Sequence, residues 1–390
     1  MRLNKIYILL VIALLPFSCV EDYYPDEDDS MSNLLVVDAS LTDNPEQVIY
    51  LSRSQKITQN GKTNESGAFV TVTRNDGENL TFEESSEGTY TATPTEDFFN
   101  TTNDYTLRII TSDGNTYISS SEKMNAGTEI DSVYYELQST FNEEGTDTIP
   151  GIQFYIDFGI NADADIQYFR WEIFETYEFR NPNYDNYVYG KDRTMRRVPA
   201  DLQDHQCWIS NTVPEIFTKA TRDLSGDIYR AFPLHFVTNE TQRLKYKYSA
   251  KINQYSLSKD AYFYWNELKK NSTAGNMLFS SQPSLTPSNI YSLDNEDERI
   301  VGYFSISEVS EKRIYIQDVE GLTFPVVYFC FPKFEMINLR YIPSIRLPLY
   351  FSEATWPLDG VIYFGEVAHH CVDCREYDNS MGDPPDYWIE

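Results

Sequence analysis

Apolar and polar residues alternate along residues 34–41, 48–54, 68–74, 80–84, 89–93, 105–111 and 116–121. A period of two puts successive side chains on opposite faces of an extended chain, so these runs predict strands with one buried face. Asn75-Asp76-Gly77 and Asp113-Gly114-Asn115 fall between neighbouring runs, and their residue types accept the positive φ that tight hairpins require. Short strands divided by turn residues fit a sandwich, and residues 34–127 are read as an Ig-like β-sandwich. That stretch holds neither Cys nor Trp, so the disulfide and tryptophan of antibody domains are missing from it.

Residues 128–390 continue the pattern, most clearly at 132–137, 152–160, 168–179, 244–255, 300–306, 313–317 and 326–331, and are read as a larger β-rich C-terminal domain. One segment departs from it. Between 258 and 270, Ala261, Tyr264, Trp265 and Leu268 recur at three- and four-residue spacing behind Ser258, a residue type that caps helices. This predicts a single amphipathic helix whose aromatic stripe packs on a sheet. Residues 180–206 lack a period and read as a long loop or insertion. The expected fold class is mainly β.

The chain start has a different character. Arg2 and Lys5 precede an apolar run over 6–15, too short to span a bilayer and laid out like a secretory signal, so residues 1–18 read as a signal peptide. Ser18-Cys19 resembles the lipobox of bacterial lipoproteins, with Pro16 where such boxes usually carry Leu, and makes Cys19 the candidate lipidation site. Acyl chains contribute about 0.8 kcal/mol per buried methylene, so a lipidated Cys19 would tether the body to a membrane that it does not cross. Residues 19–33 form an acidic linker, with six carboxylates between Val20 and Ser30, that stays extended by self-repulsion. Asp29-Ser30-Met31, Asp131-Ser132-Val133 and Asp147-Thr148-Ile149 resemble a short bacterial O-glycosylation signal, with Ser30 the accessible one.

Acidic residues outnumber basic ones 60 to 31, a net charge of −29 that argues against nucleic acid, or an anionic lipid surface, as a partner through bulk electrostatics. At 41% hydrophobic and 15% aromatic, the chain has ample core-forming side chains and is folded.

Apart from Cys19 the cysteines are Cys207, Cys330, Cys371 and Cys374, an even set in an exported chain, which favours disulfides. Of the three pairings, sequence proximity favours Cys371 with Cys374, leaving Cys207 with Cys330. His369-His370-Cys371-Val372-Asp373-Cys374 crowds metal-ligand types together, but neighbouring residues rarely converge on one ion and a disulfide removes the thiolates. Asn161, Asp163, Asp165 and Glu172 match a calcium-loop count, yet Ile166 stands where such a loop needs Gly, so a polar turn is expected there. No nucleophile elbow, metalloprotease helix, P-loop or dinucleotide glycine pattern occurs, and four His leave little for a triad. No cofactor is expected. Sixty carboxylates say nothing about geometry, and the Tyr and Trp residues that could stack on sugars also suit strands and cores.

Several segments together resemble a Bacteroidota outer-membrane lipoprotein family catalogued as domain of unknown function 4249. They are Cys19 with its acidic linker, Leu35-Val36-Val37-Asp38, Gly67-Ala68, Tyr168-Phe169-Arg170-Trp171, Val301-Gly302-Tyr303-Phe304 with Ser305, Cys371-Val372-Asp373-Cys374-Arg375, and Pro385-Asp386-Tyr387-Trp388. The resemblance implies a lipid-anchored, non-enzymatic accessory or ligand-binding partner of a TonB-dependent outer-membrane receptor, and it implies no catalytic residues. The alternatives are a surface adhesion or structural module and, behind it, a glycan-active enzyme.

Overall fold

The structure is a computed structural model that describes residues 33–388 except 56–62, 143, 162–165, 182–184, 223–225, 275–285, 326–329, 331, 334–338 and 356–361. The expected signal peptide, Cys19, Ser30 and nearly all of the acidic linker lie outside the described residues. So do Asp163, Asp165 and most of the strand expected over 326–331.

All of the strands expected before residue 122 form, with small shifts at their ends. The chain runs through β1 (Leu35–Thr42), β2 (Gln47–Arg53), β3 (Thr63–Asn64), β4 (Phe69–Arg74), β5 (Asn79–Ser86), β6 (Thr89–Ala92), β7 (Asp104–Ile110), β8 (Thr116–Ser119) and β9 (Glu122–Lys123). Gly77 and Gly114 take φ of 94° and 93° in the turns that close the β4–β5 and β7–β8 hairpins. Strand β5 pairs with β4 through residues 79–82 and with β6 through 83–86, so the sheet folds along it. The inward residues of both halves, among them Val37, Ile49, Val72, Leu107 and Tyr117, form one core.

Next come β10 (Ile130–Phe141), β11 (Thr148–Gly159), β12 (Tyr168–Arg180), β13 (Asn186–Tyr189), β14 (Met195–Arg197), β15 (Gln206–Thr212), β16 (Phe217–Ala220), β17 (Ile228–Thr238) and β18 (Lys247–Leu257). Helix α1 (Lys259–Ala274) follows, then β19 (Ile290–Ser292), β20 (Val301–Ser307), β21 (Val309–Gln317), β22 (Leu349–Thr355), β23 (Ile362–Val367) and β24 (Ser380–Met381). Strands β10-β11-β17 form one sheet and β21-β18-β12-β15-β24 another, with β16 beside β12. Phe154, Phe158, Trp171, Ile173, Tyr248 and Ile252 join these two sheets in a second core. The stretch 180–206 is not the expected long loop. It carries β13 and β14, which pair with each other and, through β13, with β22 and so β23. Its strands are too short to show a period, and the partner of β13 lies far along the chain.

Two late strands return to the first sheet. Strand β20 runs parallel to β1, with Val36 opposite Val301 and Asp38 opposite Tyr303, and β19 pairs with β8. Gly302 makes this close approach possible: its φ is +116°, and a Cβ there would sit 1.8 Å from the Val37 carbonyl oxygen. Helix α1 begins as expected, the Ala261 N–H donating to Ser258 Oγ at 3.1 Å. Its aromatic stripe packs on the first sheet's edge, with the Tyr264 and Tyr303 rings 4.9 Å apart.

The four described cysteines form disulfides, but the expected pairing is overturned. Cys207 is bonded to Cys374 and Cys330 to Cys371. Cys371 lies in the single helical turn His369–Val372 and Cys374 opens the next turn beyond Asp373, so their side chains diverge. Cys371 joins Cys330, Val198 and Val367 in one apolar cluster, whereas Cys374 joins Phe179 and Cys207 in another. The chain end then lies along the β12 sheet, with the Arg313 guanidinium 3.8 Å from the Tyr387 ring centre and the Tyr387 hydroxyl 2.9 Å from Thr176 Oγ1.

Candidate functional site

Alternation gives every strand a second face, and in two strands that face is polar. On β1 the core takes Val37, Ala39 and Leu41, which turns Asp38, Ser40 and Thr42 outward. On β12 the second core takes Phe169, Trp171 and Ile173, which turns Arg170, Glu172 and Phe174 to the other side. These outward faces confront each other. With Tyr50 of β2, Tyr255 of β18 and Trp265 of α1 they enclose a groove of about 440 Å³.

Arg170 is the central group. Its side chain is 9% exposed, and its guanidinium carbon lies 4.4 Å from the Tyr255 ring centre and 4.2 Å from that of Trp265. Stacking between two rings contributes on the order of 2 kcal/mol when the cation is desolvated, and it fixes the plane of the guanidinium. Glu172 Oε2 lies 3.7 Å from Arg170 Nη2 and accepts a 2.7 Å hydrogen bond from the Tyr255 hydroxyl. Burial and the neighbouring Glu172 charge push the Tyr255 phenol well above its ordinary pKa, so it remains a donor. Arg170 Nε is buried and has no hydrogen-bond partner among the described residues. A buried donor in that state costs about 1–3 kcal/mol, which an acceptor atom of a bound molecule would offset.

Two other buried ionic clusters are internally satisfied. Glu175 accepts from Arg243 and, at 2.8 Å, from the Tyr248 hydroxyl. Burial opposes the Arg243 charge, but the Glu175 carboxylate outweighs it and raises the Arg243 pKa. Glu122, 6% exposed, accepts from Tyr303 at 2.7 Å, Ser258 at 3.0 Å and Asn289 at 3.1 Å, tying together β9, β20 and the start of α1. Burial raises its pKa despite those three donors.

Of the cysteines, histidines and calcium-count residues singled out in the sequence, Glu172 is the one among the described residues that lines this groove, beside Trp265 of the expected helix. His369 and His370 are packing residues: the His369 ring stacks on Tyr350 at 4.1 Å and that of His370 lies 4.4 Å from Tyr377. Cys330 and Cys371 lie near His370, and Cys207 and Cys374 near Asp204, but all four sulfurs are in disulfides and offer no thiolate to a metal. Among the described residues no helix is long and apolar enough to cross a membrane. Sequence reasoning missed the groove, although Asp38 and Arg170 stand inside the segments that carry the family resemblance. The signal was Arg170 itself, a cation between Phe169 and Trp171 in an aromatic strand.

No curated protein matches the chain. A family described as a domain of unknown function (DUF4249) matches residues 20–313, from before β1 into β21, and so takes in every strand and the helix that build the groove. With three quarters of its length inside that match, from the polar face of β1 to the Gly302 crossing and the start of β21, the chain belongs to the DUF4249 family.

Proposed function

We propose that this chain is a lipid-anchored lipoprotein of the outer membrane, exposed at the cell surface, that serves a TonB-dependent receptor as a non-enzymatic ligand-binding accessory. The groove carries the ligand-binding part of this reading, through one observation: the buried Arg170, clamped between two rings with Nε unpartnered among the described residues. Arg170 Nε asks for an acceptor, whereas the exposed Glu46 carboxylate in the same lining can take a donor. A hydroxyl does both, so a hydroxyl-rich molecule such as a glycan fits better than a simple anion or cation. Tyr50, 45% exposed, supplies an aromatic face at the rim.

Two measurements test the reading. Tagged protein from detergent-solubilised outer membrane should co-purify with a TonB-dependent receptor; recovery without any such receptor ends the accessory role. In a thermal-shift screen against oligosaccharides, at least one should stabilise the native chain and lose about tenfold in affinity with Arg170→Gln, equivalent to about 1.4 kcal/mol. Binding that Arg170→Gln leaves unchanged would move the ligand out of this groove.

A further inference from the structure

We propose that the loop over residues 339–348, with the adjoining hairpin turn 190–194, is a docking surface for a phospholipid bilayer carrying anionic headgroups. Tyr189 pairs with both Met195 and Leu349, so the β13–β14 turn and the loop entering β22 emerge at the same end of their sheet. Arg193, at φ +64°, donates to the Ile342 carbonyl at 2.7 Å and to Ser344 Oγ at 3.1 Å, which pins the loop to the turn. Below it Ile342, Leu347, Leu349, Tyr189 and Phe351 form a small buried cluster. The loop is therefore a built projection.

What it projects is apolar and basic. Ile345 is 94% exposed and Tyr341 76%, each in a short helical turn on either side of Pro343. Lys191, Arg193 and Arg196 lie in or beside the turn and Arg340 and Arg346 in the loop; Asp192 lies 3.2 Å from Arg196 and Glu366 3.6 Å from Arg346. This basic end belongs to a chain of net charge −29. Bulk repulsion turns the body away from an anionic surface and leaves this end as the one that approaches it. An aliphatic and an aromatic side chain at the apex, with arginines in the same loop and turn, is the distribution that suits the headgroup boundary. A protein partner is the weaker fit: a standard interface takes about 800 Å² from each side, more than a convex apex of two side chains offers.

The test uses the chain from Val20 onward, which keeps every described residue and carries no acyl group. It should sediment with vesicles of phosphatidylcholine mixed with phosphatidylglycerol at least about fivefold more than with phosphatidylcholine alone, and less as salt rises. Tyr341→Ser with Ile345→Asp should lose most of that binding, and Arg340→Glu with Arg346→Glu should lose the preference for phosphatidylglycerol, all with circular dichroism unchanged. Ile345→Cys carrying an environment-sensitive fluorophore gives an independent reading, brightening only with the anionic vesicles. The proposal is overturned by equal binding to both vesicle types, by no binding, by variants that bind like the parent, or by a probe that stays dim. Tip variants that lose a co-purifying protein while the parent ignores vesicles would make this a protein interface instead, and the proposal would fall.

Discussion

The first sheet and the C-terminal segment solve the same problem differently. Around β1–β9, a single apolar core extends from Leu35 to Ile306 without a cysteine in the sheet that encloses it. From residue 330 onward the apolar contacts break into small clusters around Tyr189, Cys330 and Phe179, and the last two are each built around a disulfide that ties a C-terminal cysteine to an earlier part of the chain. Where alternation is long enough to build a continuous core, burial alone suffices; where segments are short and partners distant, a covalent link replaces the missing area.

Removing that link should have the largest effect. The Cys330–Cys371 bridge closes a separation of 41 residues, and in the chain-entropy account such a loop contributes about 4 kcal/mol. Cys330→Ser with Cys371→Ser should therefore expose residues 339–388 to limited proteolysis while amides of β1, β4 and β7 keep their slow hydrogen exchange. If the first core loosened to the same extent, the two regions would be one cooperative unit and the contrast would vanish.

The first region has its own weak point, where late strand β20 joins β1. Gly302→Ala must accommodate both φ of +116° and a Cβ driven into the Val37 backbone. A cost of about 3 kcal/mol is expected, read as a lower urea midpoint with amide protection lost first at β1 and β20. Retention of wild-type stability would mean that the parallel pair matters little to this core.

The contrast also explains what the sequence could reveal. Strands β1, β2 and β4 to β8 were legible because each of the longer ones alternates and glycine turns divide them, whereas the two-residue β3 carries no period. Strands β13 and β14 were not, since three or four residues carry no period and β22 completes them from far along the chain. The disulfide partners followed from where Cys371 and Cys374 point, which depends on the corner at Asp373 rather than on spacing. The groove was hidden for a different reason: the polar faces of β1 and β12 each look like solvent-facing sides, and only the return of β19 and β20 to the first sheet shows that the late chain folds back to it.

The smallest effect concerns Glu122, which joins the first sheet to the start of α1. Burial raises its pKa above the ordinary 4.5, so the folded protein holds this proton more tightly than the unfolded chain. The stability it contributes is fully present below the unfolded pKa and is lost as pH rises through the folded one. In Glu122→Gln the amide oxygen still accepts from Tyr303 and Asn289, while its NH2 group faces Ser258 Oγ, which has a lone pair to offer. The variant therefore keeps the contacts and drops the charge. Urea unfolding across a pH series should find the two proteins alike near about pH 4 and the Gln variant ahead by about 1 kcal/mol near about pH 8. A variant that falls behind the parent at the higher pH would mean that the ionised carboxylate holds this junction together.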